Sequence, residues 1–353
     1  MFPERLFFEL VRAASMASSA DNMQPWEFRR TRDGIEVFGA RSRFLPTDVD
    51  NMFAWMGVGA AVQNMVVAAA AHHLDARIEY SGTEKGNEPL ALLRFLPGRG
   101  EGGHLAKWIP FRATNRNPFE ALPLQPTLLS KLSESIRGLN AGIHWTTASS
   151  DLDRIADMDA NSSFIRLEHK PLHDELFYIL RFSRKEMESK GYGLDFRSLG
   201  VPGAAVFIAR QLRFWAVNKA VSRLGIGRII AKMLSSRLRK AGALCLVTSK
   251  GRNPVAYIEA GRAMQQLWLA CTAEGLSVQP YGVLPQYLTK AELEPERFLP
   301  RHAAAIERHR KPFFSIFPLS ENEFPAIVLR VGKAEEQSAR SEVRLRTEEL
   351  IRT

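Results

Sequence analysis

The chain has 353 residues, of which 45% are hydrophobic and 24% are charged, as is ordinary for a soluble globular protein. This length predicts two domains or one large domain. The two cysteines, Cys245 and Cys271, lie in apolar runs, which argues against a disulfide framework or a cysteine-ligated metal site. So few cysteines favour a reducing compartment. The formal net charge of +10 comes mostly from one segment, residues 200–240.

The N-terminal residues Met-Phe-Pro-Glu-Arg lack the basic region, apolar core and cleavage site of a signal peptide. Residues 52–71 are uncharged and long enough to suggest a membrane span. However, Gln63 and Asn64 lie in the middle of this window, which is otherwise rich in Ala and Gly, so a buried helix is favoured. We therefore expect a cytoplasmic protein.

Hydrophobic periodicity predicts alternating helices and strands. In the first part it predicts a helix over 6–16, strands near Phe28 and Val37, a long helix over 51–73, and strands over 76–80 and 90–96. The Gly-rich run 97–103 is the clearest linker, so we place a boundary between 1–103 and 104–353. In the second part we expect helices over 126–138, 150–168 and 256–274 and strands over 142–147, 243–248 and 326–331. Because regular βαβ spacing is missing, the pattern predicts an α+β fold.

An internal repeat relates the two parts. Moving residues 59–76 by 202 positions onto 261–278 matches Gly59 with Gly261, Gln63 with Gln265, Leu74 with Leu276 and three alanines with alanines. Each copy is a long helix of small residues followed by an extended segment. We expect both helices to approach a partner closely.

A polar loop, Ala-Ser-Ser-Ala-Asp-Asn-Met-Gln-Pro-Trp-Glu-Phe at 17–28, separates a helix from a strand. Pro25 is expected to push Gln24 toward extended geometry. The loop either positions a ligand or is an ordinary capped loop.

Arginines supply a second set of candidates. Arg112 and Arg116 flank Thr114, and two guanidiniums beside a hydroxyl suit a phosphate, although a solvated basic turn has the same pattern. Arg344 and Arg346 near the C-terminus are by themselves also compatible with a soluble tail.

The loop and the first arginine motif together resemble the FMN-dependent nitroreductase family, whose loop reads Ser-Ser-x-x-Asn-x-Gln-Pro-Trp. The resemblance implies that FMN is bound by Ser18, Ser19, Asn22, Gln24, Arg112, Thr114, Arg116, Pro280, Tyr281, Arg344 and Arg346. Within that set, the resemblance puts Arg112, Thr114, Arg344 and Arg346 at the phosphate. It puts Arg116 at N1 and the C2 carbonyl of the ring, and Pro280 and Tyr281 near the N5 edge.

The repeated helices resemble the central helix that nitroreductase subunits pack together in their dimer. The resemblance therefore implies three-layer α/β/α halves fused in tandem, as in the Acg-type branch, so that one chain mimics the homodimer and can be a monomer. It is weakest over about 185–240, where the family inserts a lid. Asn161-Ser162-Ser163, the expected counterpart of the loop, lacks Gln-Pro-Trp. We expect one FMN per chain.

The segment 200–240 contains nine basic and no acidic residues, interleaved with large apolar ones, and Gly225 and Gly227 are expected to split it into two helices. It suits a lid over the cofactor, a peripheral contact with anionic membrane, or a solvated helical hairpin. Nucleic-acid binding is not expected because no recognition motif accompanies the charge.

The resemblance implies an oxidoreductase that passes electrons from NAD(P)H through FMN to a small electron-poor acceptor, such as a nitroaromatic or a quinone. The hydride chemistry belongs to the flavin, so no catalytic nucleophile or base is expected. Metal sites are not expected either, and His169 and His173 are assigned to a helix surface. The alternatives are an FMN-sequestering protein, in which Trp26, Tyr281 and the lid fill the substrate space, and a membrane-surface protein on a degenerate fold.

Overall fold

A computed structural model describes residues 2–81, 88–199, 205–338 and 343–352. Its helices are α1 (Glu4–Ser15), α2 (Met52–Ala70), α3 (Pro126–Glu134), α4 (Ser149–Glu168), α5 (Lys170–Ile179), α6 (Arg184–Lys190), α7 (Ala205–Leu212), α8 (Trp215–Arg223), α9 (Ile226–Ser235), α10 (Pro254–Ala273), α11 (Val283–Leu293) and α12 (Pro300–Ile316). Its strands are β1 (Trp26–Arg30), β2 (Ile35–Gly39), β3 (Leu74–Tyr80), β4 (Ala91–Pro97), β5 (Ala141–Thr146), β6 (Leu180–Arg181), β7 (Leu194–Asp195), β8 (Ala243–Ser249), β9 (Ser277–Tyr281) and β10 (Phe324–Gly332). This α+β content agrees with the sequence pattern.

The two larger sheets of the described chain have the same topology. Their strand orders are β1-β2-β4-β3 and β5-β8-β10-β9, and every neighbouring pair is antiparallel. A helix precedes the first strand of each sheet: α1 precedes β1, and α3 precedes β5. A longer helix precedes the strand at the opposite edge: α2 precedes β3, and α10 precedes β9. One sheet lies before residue 103 and the other after it, on opposite sides of the predicted boundary.

The long helices α2 and α10 pack against each other, and each also packs against the sheet of its own half. Residues of both halves, from Phe7 and Trp26 to Val278 and Leu329, share one apolar core. The stretch Val49–Ala70 is long and apolar enough to cross a membrane, but 89% of its most apolar window is buried inside the fold. It is a core helix, as its Gln, Asn and Ala content suggested.

Two glycines bring α2 and α10 together. A Cβ on Gly59 would lie 1.9 Å from the carbonyl oxygen of Ile258, and a Cβ on Gly261 would lie 2.0 Å from that of Met56. The repeat offset of 202 converts Gly59 to Gly261 and Met56 to Ile258, so the two contacts are equivalent. The helices therefore cross with local two-fold symmetry at the residues that the repeat matched.

The buried amides of the same helices obey this symmetry. Gln63 Nε2 donates to Gln266 Oε1 at 2.9 Å, and Gln265 Nε2 donates to Asn64 Oδ1 at 2.8 Å. The offset of 202 interchanges these two bonds. Gln63 and Asn64, in the middle of the apolar stretch 52–71, thus form hydrogen bonds across the interface between the halves. Buried amides need such partners.

Replacing Gly59 with Ala is expected to destabilise the fold by about 1–3 kcal/mol, because the new methyl group meets backbone that cannot rotate away. Gly227→Ala in α9 is the control, since its Cβ would meet only side-chain atoms, the nearest at 3.3 Å. We expect that change to be neutral or stabilising. Urea unfolding of both variants measures the difference, and equal effects would contradict the close crossing.

The second sheet is covered on both faces and the first on one. In β8, Cys245 and Val247 face the core that contains α10, whereas Leu244 and Leu246 face a second core built by α4, α11 and α12. The outer face of the first sheet instead carries cross-strand ion pairs such as Arg29 with Glu36. The expected three α/β/α layers are thus complete only around the second sheet, because the helices of 149–240 and 283–316 have no counterpart among the described residues of the first half.

Three finer expectations were wrong. Asn161-Ser162-Ser163 lies within α4 and is not a loop; the connection between α3 and β5 that matches the loop after α1 is residues 135–140. The basic segment forms three helices, α7 to α9, where two were expected. Gly225, with a φ of +78°, separates α8 from α9, whereas Gly227 is buried inside α9.

Two chain segments bring site residues to the boundary between the halves. Thr114 forms a parallel bridge with Val278 at the edge of β9, which fixes the segment 112–117 against the second sheet. Ile351 forms a parallel bridge with Phe28, and Arg352 N–H donates to the Phe28 carbonyl at 2.7 Å. The C-terminal segment therefore crosses back to the first sheet and passes the polar loop.

Candidate functional site

A cavity of about 1100 Å³ lies where the polar loop, the segment 112–117, the end of β9, the helices of 149–240 and the C-terminal segment meet. Most of the predicted site residues line it: Ser18, Ser19, Asn22, Arg112, Thr114, Arg116, Pro280, Tyr281 and Arg344. These residues are separated by up to 326 positions in sequence. Gln24 and Arg346 do not line the cavity.

The polar loop has an unusual backbone. Asp21, Asn22 and Gln24 have φ values of 48°, 58° and 52°, a left-handed region that residues other than Gly seldom adopt. The expectation of an extended Gln24 before Pro25 was wrong. Its N–H donates to Ser19 Oγ at 3.0 Å, and its carbonyl accepts from Trp26 N–H at 2.9 Å across Pro25. Clustered strain of this kind is typical of ligand-binding loops.

Ser18 is held by a chain of buried amides that crosses both halves. Its hydroxyl donates to Gln265 Oε1 at 2.9 Å, and Gln265 in turn donates to Asn64. Asn64 Nδ2 donates to the Ala13 carbonyl of α1 at 2.8 Å. The start of the loop is thereby fixed relative to α2 and α10, so Ser18 and Ser19 line the cavity on a rigid support.

Asn22 and Gln24 tie the loop to distant segments. Asn22 Nδ2 donates to the carbonyls of Gly193 and Val343 at 3.1 and 2.9 Å. Gln24 is fully buried, where its Nε2 donates to the Gly191 carbonyl at 2.8 Å and its Oε1 accepts from Leu345 N–H at 3.0 Å. Gln24 therefore organises the loop and the C-terminal segment and is not itself exposed to a ligand.

Arg112 and Arg344 converge on the end of α1. Arg112 Nη2 donates to the Met16 carbonyl at 3.2 Å, and its guanidinium lies 4.6 Å from the centre of the Trp268 ring. Arg344 Nη1 donates to the Ala17 carbonyl at 2.8 Å. The carbonyl end of a helix attracts cations, and here it gathers two planar donors beside Ser18. This corner of the cavity suits a phosphate dianion.

Arg346 lies elsewhere. Its side chain is 79% exposed and pairs with Glu349 at 3.3 Å, and Glu349 also accepts from the Arg346 N–H at 2.8 Å. Glu349 thus caps the start of the turn Thr347–Leu350, and its own N–H donates to the Arg346 carbonyl at 3.0 Å. Arg346 is therefore turned away from the cavity, contrary to its assignment to the phosphate, and an Arg followed three positions later by Glu is typical of a local ion pair.

Arg116 and Tyr281 form a second, cationic part of the cavity. Arg116 Nη1 donates to the Ser198 carbonyl at 3.1 Å. Burial and the neighbouring Arg237 charge lower the pKa of Arg116, while Asp21 and Tyr281 raise it. Burial likewise lowers the pKa of Arg330, behind Tyr281, to about 10. Several cations around one phenol make this part of the cavity favourable for a developing negative charge.

Other cavity residues were missed in the sequence. Asp159, Ser163 and Arg166 come from one face of α4, and Glu175 follows on α5. Asp159 Oδ2 accepts from Ser235 at 2.6 Å, and burial raises the pKa of its carboxyl to about 6. No local motif marks these residues, because their exposure to the cavity depends on how the insert packs over the second sheet.

Asp48 is expected to make stability pH-dependent. It accepts from Phe53 and Ala54 N–H at the start of α2, yet burial raises its pKa from 3.8 to about 7. The folded chain then holds a proton that the unfolded chain releases, so the free energy of unfolding should fall as pH rises from about 4 to about 7. Asp48→Asn should flatten this slope in thermal melts, whereas Asp33→Asn, at an exposed turn, should not.

His169 and His173 do not both lie on a helix surface. His173 is completely buried, and its Nε2 lies 2.8 Å from the Leu212 carbonyl, so its assignment to a surface was wrong. His169 is partly exposed between α4 and α5. Among the residues that the structure describes, no group of three or more His, Cys, Asp or Glu side chains could hold a metal ion.

A sequence model of the nitroreductase family matches residues 185–299, which include α9, α10 and β9. The chain therefore carries a nitroreductase-family region. The match covers all of 185–240, where the resemblance was expected to be weakest, so that expectation was wrong. The nitroreductase-family region supplies Pro280 and Tyr281 to the cavity, while the polar loop and the arginines of 112–116 lie outside it.

Relatives and solved structures extend the comparison. The chain is 25% identical over 340 residues to an uncharacterized protein, MT1398, of Mycobacterium tuberculosis (strain CDC 1551 / Oshkosh), covering 96% of this chain and 47% of that protein. The chain thus spans about half the length of that relative. A nitroreductase with bound FMN from Desulfitobacterium hafniense DCB-2 is 13% identical, with 67% and 92% of the two chains covered and a TM-score of 0.36. An NADPH:FMN oxidoreductase from Vibrio harveyi, complexed with NAD+, is 9% identical, with 70% and 76% covered and a TM-score of 0.38.

Proposed function

We propose that the chain is an FMN-binding oxidoreductase of nitroreductase type that passes electrons from NAD(P)H through FMN to a small electron-poor acceptor, such as a nitroaromatic or a quinone. The observation that carries this proposal is the convergence of Ser18, Arg112, Arg116, Tyr281 and Arg344 on one cavity. They come from four separate segments, and each was chosen from the sequence for contact with one part of the same cofactor.

The donor set fits FMN. Arg112 and Arg344, beside the Ser18 loop, offer planar guanidinium groups for a phosphate dianion. Arg116 and Tyr281 offer a cation and an aromatic ring to the isoalloxazine. A volume of about 1100 Å³ exceeds the range of about 300–1000 Å³ usual for a single drug-sized ligand, which leaves room for a substrate beside the cofactor.

When bound, FMN supplies the hydride and electron chemistry. The residues of the chain have the tasks of binding and electrostatics. Arg112, Thr114 and Arg344 would hold the phosphate, and Ser18, Ser19 and Asn22 would supply further contacts with the flavin. Arg116 places a fixed cation where negative charge collects during reduction, which favours the reduced ring.

We further propose that one chain holds one FMN and stands for a family homodimer. The matched sheet topologies and the two-fold contacts of Gly59 and Gly261 support two equivalent halves. The two halves are not equivalent at the cofactor, however, because the polar loop belongs to the first half and its counterpart in the second half is the short connection 135–140. A single complete site follows.

A lid-covered, FMN-sequestering protein is the second candidate. Tyr281 Oη donates to the Leu234 carbonyl at 3.4 Å, so the insert already contacts a proposed ring residue. Trp26 does not contribute to this closure, since it is fully buried in the core. In an anaerobic titration, bleaching of the flavin band by NADH or NADPH supports the reductase, whereas bleaching by dithionite alone supports sequestration. Failure to bind added FMN overturns both.

A further inference from the structure

The outward surface of α7, α8 and α9 combines exposed apolar side chains with a one-sided charge. Residues 200–240 contain nine basic residues and no acidic ones. Phe207, Leu224 and Ile229 of these helices and the turns between them are more than 60% exposed, and Ile226 and Met233 are also exposed. Patches of this kind on a soluble domain usually mark an interaction surface.

Two of these helices lie on α4, which settles their orientation. Gly227 of α9 is buried against Phe164 and Leu167 of α4. Asn218 of α8 donates to the Leu167 carbonyl at 2.7 Å. The faces of α8 and α9 that point away from α4 are therefore directed to the same side of the molecule.

The outward face of α9 is an apolar stripe. Ile226, Ile229 and Met233 are spaced by three and four residues, so they lie on one face of the helix, opposite the buried Gly227 and Ala231. Such a stripe normally packs against a core. Here it is exposed.

Cations of α8 and α9 are available for an external partner. Lys219, Arg223 and Lys232 are exposed and form no ion pair with any residue that the structure describes. Arg239, by contrast, is paired with Asp153 and Asp157 at 2.6 and 2.7 Å. The free cations lie on the same helices as the exposed apolar residues.

We propose that the outward face of α7, α8 and α9 docks the protein peripherally on an anionic lipid bilayer. Interfacial helices bury apolar side chains at the acyl boundary while their Lys and Arg residues meet anionic headgroups. A second copy of the chain is a poor occupant, because a two-fold contact would bring the cations of one copy against those of the other. Nucleic acid would use the cations but has no need of the exposed Ile, Leu and Met side chains.

Docking would place the bilayer against α9, which forms part of the cavity wall. Leu234 and Ser235, from the inner side of α9, line the cavity wall, while Ile229 and Met233 face outward from the same helix. An apolar acceptor dissolved in the bilayer would then reach the cavity past α9. The docking proposal itself does not rest on flavin chemistry.

Cosedimentation with vesicles tests the proposal. We expect the full chain to sediment with phosphatidylcholine vesicles that contain phosphatidylglycerol, to remain soluble with phosphatidylcholine alone, and to be released by added salt. The double variant Lys219→Gln and Lys232→Gln should weaken binding about thirtyfold, at roughly a factor of five or six for each lost charge. The matched control, Arg308→Gln with Lys311→Gln on α12, removes the same charge from another surface and should bind as before.

A second pair of variants tests the apolar component. Ile229→Ser should weaken binding about tenfold, whereas Leu122→Ser, at a side chain that is equally exposed (67% against 66%), should not. The proposal is overturned by equal binding to neutral and anionic vesicles, by no binding, or by equal losses in the test and control variants. It is also overturned if Ile229→Ser abolishes a concentration-dependent dimer, or if duplex DNA is bound in place of vesicles at the same salt. Thermal melts confirm that the variants are folded.

Discussion

Replacing Arg116 with Gln is expected to slow the reduction of bound FMN by NAD(P)H on the order of a hundredfold. Removal of one fixed donor at a developing negative charge typically costs about 10²–10³ in rate. Arg116 is held by the Ser198 carbonyl and lies in the electrostatic field of Arg237 and Tyr281, so its position is fixed before a ligand enters. Stopped-flow absorbance under anaerobic conditions measures the rate.

Two further variants separate charge from geometry. Arg116→Lys keeps the charge and should retain more of the rate than Arg116→Gln. Arg197→Gln removes a different, exposed cation from the cavity wall and should have little effect. The reduction potential of FMN should also become more negative in Arg116→Gln, by about 30 mV for each 1.4 kcal/mol of lost stabilisation. Normal rate and potential in that variant, or an equal loss in Arg197→Gln, would contradict the role of Arg116.

Replacing Arg112 with Ala is expected to weaken FMN binding about a hundredfold. A charged hydrogen bond contributes about 1.5–3 kcal/mol, and the planar fork of Arg can form two with a phosphate. Arg344 converges on the same corner of the cavity, so binding should be weakened and not abolished. Fluorescence titration of the apoprotein with FMN gives the dissociation constants.

Arg346→Ala is the matched control for Arg112→Ala. Arg346 belongs to the same proposed phosphate set by sequence, but its side chain is turned to Glu349 at the surface, so its loss should leave FMN affinity unchanged. Arg112 also contacts Met16 and Trp268, and a thermal melt of Arg112→Ala must show a folded protein. Arg112→Lys, which is less disruptive, should bind with intermediate affinity. Equal affinities for Arg112→Ala and Arg346→Ala would show that the phosphate corner is elsewhere.

Features written in local sequence were predictable. The equivalence of Gly59 and Gly261 could be found because close helix crossing demands small residues at matched positions, and the structure has both against opposing carbonyls. The polar loop and the Arg112 motif are contiguous, so their residues could be chosen without knowledge of the fold. The structure was needed only to show that both line one cavity.

Features set by tertiary contacts could not be predicted in this way. The left-handed Gln24 depends on partners at Gly191 and Leu345, far along the chain, which override the local preference before Pro25. The burial of His173 and the exposure of Asp159 to the cavity depend on how the insert packs. Arg346 is different, because its ion-pair partner Glu349 is only three positions away and could be identified from the sequence.

The most direct test of the proposed single-chain flavoprotein is the stoichiometry of FMN binding, measured by titrating the purified apoprotein and following the visible flavin spectrum. One FMN per chain is predicted, because one half contributes the polar loop and the other the arginines of 112–116. Two FMN per chain would contradict the asymmetry of the halves, and no binding would contradict the proposed site.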